Sequence, residues 1–291
     1  FMSQTKTLAE LTIKNNFLFS AVMLDPENCR GLLEIILGIS IDRVIVSREQ
    51  CLIYHPEYRS VRLDIYAKDS RNTHYNVEMQ VSPKPALAKR CRYYHSQMDM
   101  ELLLAGTDYT GLPDTYVIFI CDFDPFGRQR YIYTFENCCM EDGQIMLNEG
   151  CKTIFLSTRG TNRSEISAEL AAFLEFAGAD LAGSQGEFDS AYVRQLQTSI
   201  RNIKNSREMR ERYMIFEELL KEERSEGKTE GRIEGRIEAT AEAILELLEV
   251  LGPVPGHLSS VICSETDLEL LKKWHRLAAR STSVQQFINN M

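Results

Sequence analysis

Two short runs, Val61-Arg62-Leu63-Asp64-Ile65-Tyr66 and Tyr75-Asn76-Val77-Glu78-Met79-Gln80, each alternate apolar and polar residues around one carboxylate. The period of two puts Arg62, Asp64 and Tyr66 on one face of a first strand, and Val61, Leu63 and Ile65 on the other. In a second strand Asn76, Glu78 and Gln80 point one way, and Tyr75, Val77, Met79 and Val81 the other. Between them Asp69-Ser70-Arg71-Asn72-Thr73 supplies the residue types of a tight connection. A turn centred on Arg71 pairs residues equidistant from it, so Asp64 faces Glu78 and Arg62 faces Gln80. A turn one residue longer or shorter breaks that alignment. Opposed side chains have Cβ atoms roughly 4.5–5.5 Å apart, where two like charges destabilise a sheet. A divalent cation offsets the repulsion, since Mg²⁺ takes one or two carboxylates and completes its shell with waters and phosphate oxygens. The competing reading is structural, with one carboxylate solvated at an edge or paired with Arg62.

A basic stretch adjoins the hairpin. Residues 81–97 contain Lys84, Lys89, Arg90, Arg92 and His95, with Tyr93 and Tyr94 among them, and no acidic residue. The whole chain carries a net charge of −9, which argues against a polyanionic partner. A local field decays within about 10 Å at ordinary salt, however, so a basic stretch can hold phosphate on an acidic protein. Beside a carboxylate pair it suits a phosphodiester; by itself it also reads as a solvated helix face.

These groups need a scaffold. Apolar spacing predicts a helix over 16–24, and Asp25-Pro26 gives a cap and a first-turn proline for a second helix that stops at Gly38. Residues 43–53 read as a strand, followed by the hairpin, and a helix is expected over 86–104 after Pro83 and Pro85. The apolar run 115–121 predicts a central strand buried on both faces, with further strands over 129–135 and 152–157. The expected fold is a three-layer α/β core with a mixed sheet over 11–160, followed by an all-helical C-terminal region. That region comprises a helical extension over 161–225, including helices over 164–179 and 191–224, and a small helical part over 239–291. Between them residues 226–238 repeat in fours, with Gly227, Gly231 and Gly235 each between an acid and a base. Glycine costs a helix about 1 kcal/mol against alanine, so the repeat is either a close helix–helix approach or a charged linker. Near the end, Thr266 is the expected cap of a helix with Leu270, Leu271, Trp274 and Leu277 on its apolar side.

The 291 residues suffice for one large domain with appendages, and 44% apolar and 26% charged residues are ordinary for a globular protein. No apolar run nears the ~20 residues of a membrane span, and a signal-peptide layout is lacking. The eight cysteines contain no C-x-x-C pair, so they suggest neither a zinc module nor a disulfide scaffold. The expectation is a cytoplasmic protein with reduced thiols and no membrane partner.

Taken in order, several stretches resemble the Rpn, or transposase-like, branch of the PD-(D/E)XK nuclease superfamily. They are Asn16-Phe17-Leu18-Phe19 with Val22-Met23, the two hairpin runs, Lys89-Arg90 with Tyr93-Tyr94, Val117-Ile118-Phe119-Ile120-Cys121, Asp124-Pro125-Phe126-Gly127 and Phe155-Leu156-Ser157-Thr158-Arg159-Gly160. The resemblance covers roughly residues 11–225 and implies a metal-dependent DNA endonuclease of mobile-element or defence type. It implies Asp64 and Glu78 as metal ligands with the Met79 carbonyl, Mg²⁺ as the ion with Mn²⁺ as a substitute, and Gln80 in the place of the superfamily lysine. Glutamine can orient a water there but adds no charge. Asn16 stands where many relatives have aspartate, as an accessory group. Arg62, Lys84, Lys89, Arg90 and Tyr94 are the expected DNA contacts, and the C-terminal helices the expected route to a homo-oligomer. The alternative is a catalytically weak DNA-binding or assembly protein on the same fold.

Overall fold

Helix α1 (Asn16–Met23) starts where the Asn15 side chain accepts the Leu18 amide proton, and α2 (Pro26–Leu37) where Asp25 accepts from Glu27 and Asn28. Gly38, at φ +67°, closes α2 in the left-handed conformation that glycine adopts without strain. Then come β1 (Val44–Arg48), β2 (Cys51–Leu52), β3 (Val61–Arg62), β4 (Ile65–Asp69) and β5 (His74–Gln80). Helix α3 (Leu87–Leu102) crosses over to β6 (Thr115–Cys121), and β7 (Ile132–Phe135) and β8 (Cys151–Ser157) complete the strands. The computed structural model describes residues 6–48, 51–52 and 61–291, so parts of the expected 43–53 strand, Ile53 among them, lie outside the described residues.

Six strands form one mixed sheet in the order β1-β4-β5-β6-β8-β7, and β2 pairs with β3 separately. The neighbours β5, β6 and β8 run parallel, while β1, β4 and β7 join antiparallel. In the hairpin Ile65 meets Val77, Tyr66 meets Asn76 and Lys68 meets His74, the register expected of a turn centred on Arg71. Asn72 takes φ +67° in that turn. The first hairpin arm differs from expectation. Leu63 and Asp64 interrupt it, and Val61–Arg62 pairs with Cys51–Leu52, so Arg62 faces Cys51 rather than Gln80. The interruption also resets the alternation. Leu63 packs with Tyr66 and Phe119 beneath α3, not on the face of Ile65 as predicted.

Register assigns the remaining faces. Glu78 lies beside Phe119 and Gln80 beside Cys121 in β6, and Phe119 lies beside Phe155 in β8. Residues in register share a face. Glu78 and Gln80 therefore lie beneath α3, whose Cys91, Tyr94 and Met98 pack on Val117, Phe119 and Cys121. His95 pins the helix, its ring nitrogens reaching the Thr115 hydroxyl (2.8 Å) and the Thr153 hydroxyl (3.1 Å). Burial holds His95 neutral, its pKa lowered to about 4. On the opposite face Val77, Met79, Ile118, Ile120 and Leu156 are buried.

Six more helices follow: α4 (Ala168–Gly178), α5 (Ala191–Asn205), α6 (Arg207–Leu251), α7 (Gly256–Ser264), α8 (Leu268–Ala278) and α9 (Val284–Asn290). Helices α1, α2, α4 and α5 pack on one another and α2 on β1, forming the third layer. The expected helix over 191–224 is two helices. Ser206 is extended, ends α5 with its amide on the Asn202 and Ile203 carbonyls, and accepts the Met209 amide proton to start α6. The 226–238 repeat lies inside α6, and a Cβ at Gly227, Gly231 or Gly235 would meet nothing within 4 Å. Asp267, not Thr266, caps α8, because its carboxylate accepts from Glu269 and Leu270.

The chain divides into two compact units, residues 1–213 and 214–291. In the second, Ile244 and Leu248 pack with Leu258, Ile262, Leu271, Trp274 and Phe287. Among the described residues no helix is long and apolar enough to cross a membrane. Cys29, Cys91 and Cys121 are buried free thiols.

Candidate active site

The two carboxylates meet where the hairpin ladder stops. The Asp64 amide donates to Glu78 Oε1 (3.3 Å), and the Met79 amide donates to Asp64 Oδ2 (3.4 Å). Main-chain donors that would otherwise pair strand with strand are thus turned onto carboxylates. Glu78 lies in the fully buried strand β5 and is 2% exposed, whereas Asp64 is half-buried. Burial pushes the Glu78 carboxyl up to about 7, and the nearby Asp64 charge adds to the shift. Arg90 and the hydrogen bonds from the Asp64 amide and Asn76 act against it.

Arg90 is the hub. Its Nη2 donates to Glu78 Oε2 (2.5 Å), Nη1 to Gln80 Oε1 (3.0 Å) and Nε to the Tyr94 hydroxyl (2.6 Å). The guanidinium also lies 5.1 Å from the Tyr94 ring centroid and 5.2 Å from that of Phe119. Tyr94 stacks on Phe119, and Phe119 on Phe155, so the arginine rests on an aromatic layer spanning helix and sheet. The Gln80 amide is engaged at both ends, its Nε2 donating to the Ser82 carbonyl (2.7 Å).

The other expected residues are distributed differently. Tyr94 is 6% exposed and turned inward with Arg90. Lys84, Lys89 and Arg92 are exposed near the start of α3. Asn16 is exposed as the first residue of α1, and its neighbour Asn15 makes the cap bond. The side chain of Arg62 lies outside the described residues.

A second polar cluster at this end of the sheet escapes the sequence reading. The amide of Asp122, just past β6, donates to the Gln80 carbonyl (3.0 Å). Its carboxylate takes Lys14 (3.0 Å), Arg159 (3.1 Å) and the Thr158 hydroxyl (2.8 Å), and Lys14 also reaches the Gly178 carbonyl (3.1 Å). One signal was present, since Lys14 is the sole basic residue from position 7 to 29.

The site's chemistry fits a hard divalent ion. Its donors are carboxylate and carbonyl oxygens, and burial together with the Asp64 charge holds the Glu78 carboxyl above its usual range even beside Arg90. Among the described residues no group of three or more His, Cys, Asp or Glu could hold a metal. Two carboxylates with a main-chain carbonyl are a donor set that suits an ion able to complete its shell with waters.

No curated protein and no solved structure matches the chain. The sequence model of the PD-(D/E)XK nuclease family transposases matches residues 13–227, which take in the whole six-stranded sheet, both carboxylates, Arg90 and the Asp122 cluster. Nucleases of this kind generally use divalent metal ions. With this architecture and this match, the chain belongs to the PD-(D/E)XK nuclease family transposases, and its function is nuclease-like and transposase-related.

Proposed function

We propose that the protein is a Mg²⁺-dependent endonuclease that hydrolyses DNA phosphodiester bonds, with Mn²⁺ able to replace Mg²⁺, in a mobile-element or defence setting. The observation that carries this reading is the buried Glu78 carboxylate beside Asp64, raised to about 7 at the end of a central strand. Asp64, Glu78 and the main-chain carbonyl of Met79 would hold the ion. When bound, such an ion polarises a phosphate oxygen and lowers the pKa of a bound water. Arg90 brings a fixed positive charge to the same place, oriented by Gln80 and Tyr94. Gln80 thus acts through Arg90. Exposed Lys84, Lys89 and Arg92 supply charge for backbone phosphates. Purified protein is expected to nick supercoiled plasmid with Mg²⁺ or Mn²⁺ and to stop in EDTA; no nicking with any divalent ion would refute the reading.

One observation favours a second reading, a catalytically weak DNA-binding protein. Arg90 already neutralises Glu78 Oε2, where an ion would otherwise act. DNA binding without cleavage in the same assay selects this alternative.

Two-strand cleavage by a nuclease with one site per chain calls for a second copy, and cyclic symmetry is the usual way to supply it. The proposal includes a homo-oligomer formed through the helices after residue 190. Light scattering of the full chain at assay concentration should give at least a dimer mass, and a monomer mass removes this part.

A further inference from the structure

We propose that the C-terminal unit carries its own contact to nucleic acid, a groove between α6 and α8 that takes the sugar-phosphate backbone of duplex DNA. It rests on the reading of DNA as substrate. The groove has a volume of about 610 Å³. Its residues run from Arg236 to Arg276, beyond the 13–227 stretch that the family match covers.

One wall belongs to α6. Arg236, Ala239, Thr240 and Ala243 follow the i, i+3, i+4, i+7 spacing of one helix face. The two alanines keep this wall low, so a bulky polymer can approach. Glu238 and Glu242, the acids of the same segment, sit roughly 100° or more around the helix from the centre of that face.

The other wall belongs to α8. Leu271, Trp274 and Ala278 are buried in the unit's core, and Lys272, His275 and Arg276 line the groove. Glu269 is the carboxylate on this wall, and it is committed to Lys272 at 2.6 Å in the first turn of α8, where a negative charge also suits the helix dipole. Arg276 is tied through Nε to the Lys272 carbonyl (3.1 Å), which leaves its two terminal nitrogens as donors.

The charge around the groove points the same way. From residue 270 to 291 the chain has Lys272, Lys273, His275, Arg276 and Arg280 and no acidic residue, although the whole protein is at −9. The cations lie on two helices rather than at one point. A linear polyanion satisfies that arrangement better than a compact one, because each arginine or lysine can meet a different phosphate.

The test uses the full chain carrying Asp64→Ala, in EDTA, so that cleavage cannot interfere. Binding to a labelled duplex of about 20 base pairs is followed by anisotropy from low to moderate salt, with and without Arg236→Gln, Lys272→Gln and Arg276→Gln together. The triple change is expected to weaken binding at least about tenfold near 0.1 M salt and to reduce the salt slope by about 2–3. Trp274, the only tryptophan, lies in the core of this unit, and its unchanged emission shows that the unit is folded. Ala243→Glu, on the opposite wall, should produce a similar loss. Unchanged affinity and slope in both variants overturn the groove while leaving DNA as substrate. No duplex binding even by the parent overturns both. Intact duplex binding with lost binding of polyglutamate assigns the groove to an acidic protein and also overturns the proposal.

Discussion

Asp64→Ala is expected to lower Mg²⁺-supported plasmid nicking by about a thousandfold or more, roughly 4 kcal/mol of transition-state stabilisation. The size follows from the donor set. With two carboxylates in the pair, losing one leaves a single carboxylate, and Glu78 is already shared with Arg90. The fold should survive, because Asp64 is only half-buried, at the break in the hairpin, and its charge adds to the rise in the Glu78 pKa. Circular dichroism melts near those of the unchanged protein would separate lost chemistry from lost structure. Nicking at the original rate by pure Asp64→Ala protein would remove Asp64 from the site.

Arg90→Ala should have the largest effect on stability, and the effect should depend on pH. Glu78 has a folded pKa near 7 against an ordinary 4.5, so its contribution is fully present below about 4.5 and is lost as pH rises through 7. Removing Arg90 takes away a counter-charge and moves that window upward. At pH 6 the carboxyl is mostly protonated and needs no partner. At pH 8 the variant must either bury an unpaired carboxylate or hold a proton against solvent. A fully buried pair broken in this way costs about 3–5 kcal/mol. The Arg90 side chain is 31% exposed, so about 1–3 kcal/mol at pH 8 is the expected loss. Lost stacking on Tyr94 and Phe119 adds a constant that does not titrate. Thermal unfolding at pH 6 and pH 8 measures the difference, and Mg²⁺ should narrow it at pH 8. Equal losses at the two pH values would show that Arg90 acts through packing alone.

The hairpin register was legible because a short turn and a strict alternation leave little freedom, and Ile65 against Val77 follows from them. The apolar run that became β6 was equally plain, since such a run bounded by polar residues has few other uses. The break at Leu63–Asp64 was not. It depends on Cys51–Leu52 drawing away Val61–Arg62, a long-range pairing that alternation does not encode. The ends of α5 and α8 were ambiguous for a local reason: Ser206 and Asp267 compete with neighbours that could also cap or continue a helix.

Arg90 shows what spacing can and cannot tell. Leu87, Cys91, Tyr94 and Met98 form the inward stripe of α3, and Arg90 stands one turn before Tyr94, beside that stripe. The wheel therefore allowed an inward arginine. Its uniformly basic neighbourhood suggested an outward one, and only the buried carboxylate beneath the helix decides between them.

Gln80 Oε1 accepts a hydrogen bond from Arg90 Nη1, and this bond makes the residue suited to position 80 depend on the one at position 90. A lysine at 80 would set an ammonium against the guanidinium in place of the acceptor that now holds it. An uncharged residue at 90 beside glutamine would leave Glu78 without the guanidinium that now pairs with it. Each exchange alone should therefore cost more than the two made together, a coupling that a double-mutant cycle of Gln80→Lys and Arg90→Ala would read. The cation beside the carboxylates thus stands on helix α3, and Gln80 on β5 is the acceptor that holds it.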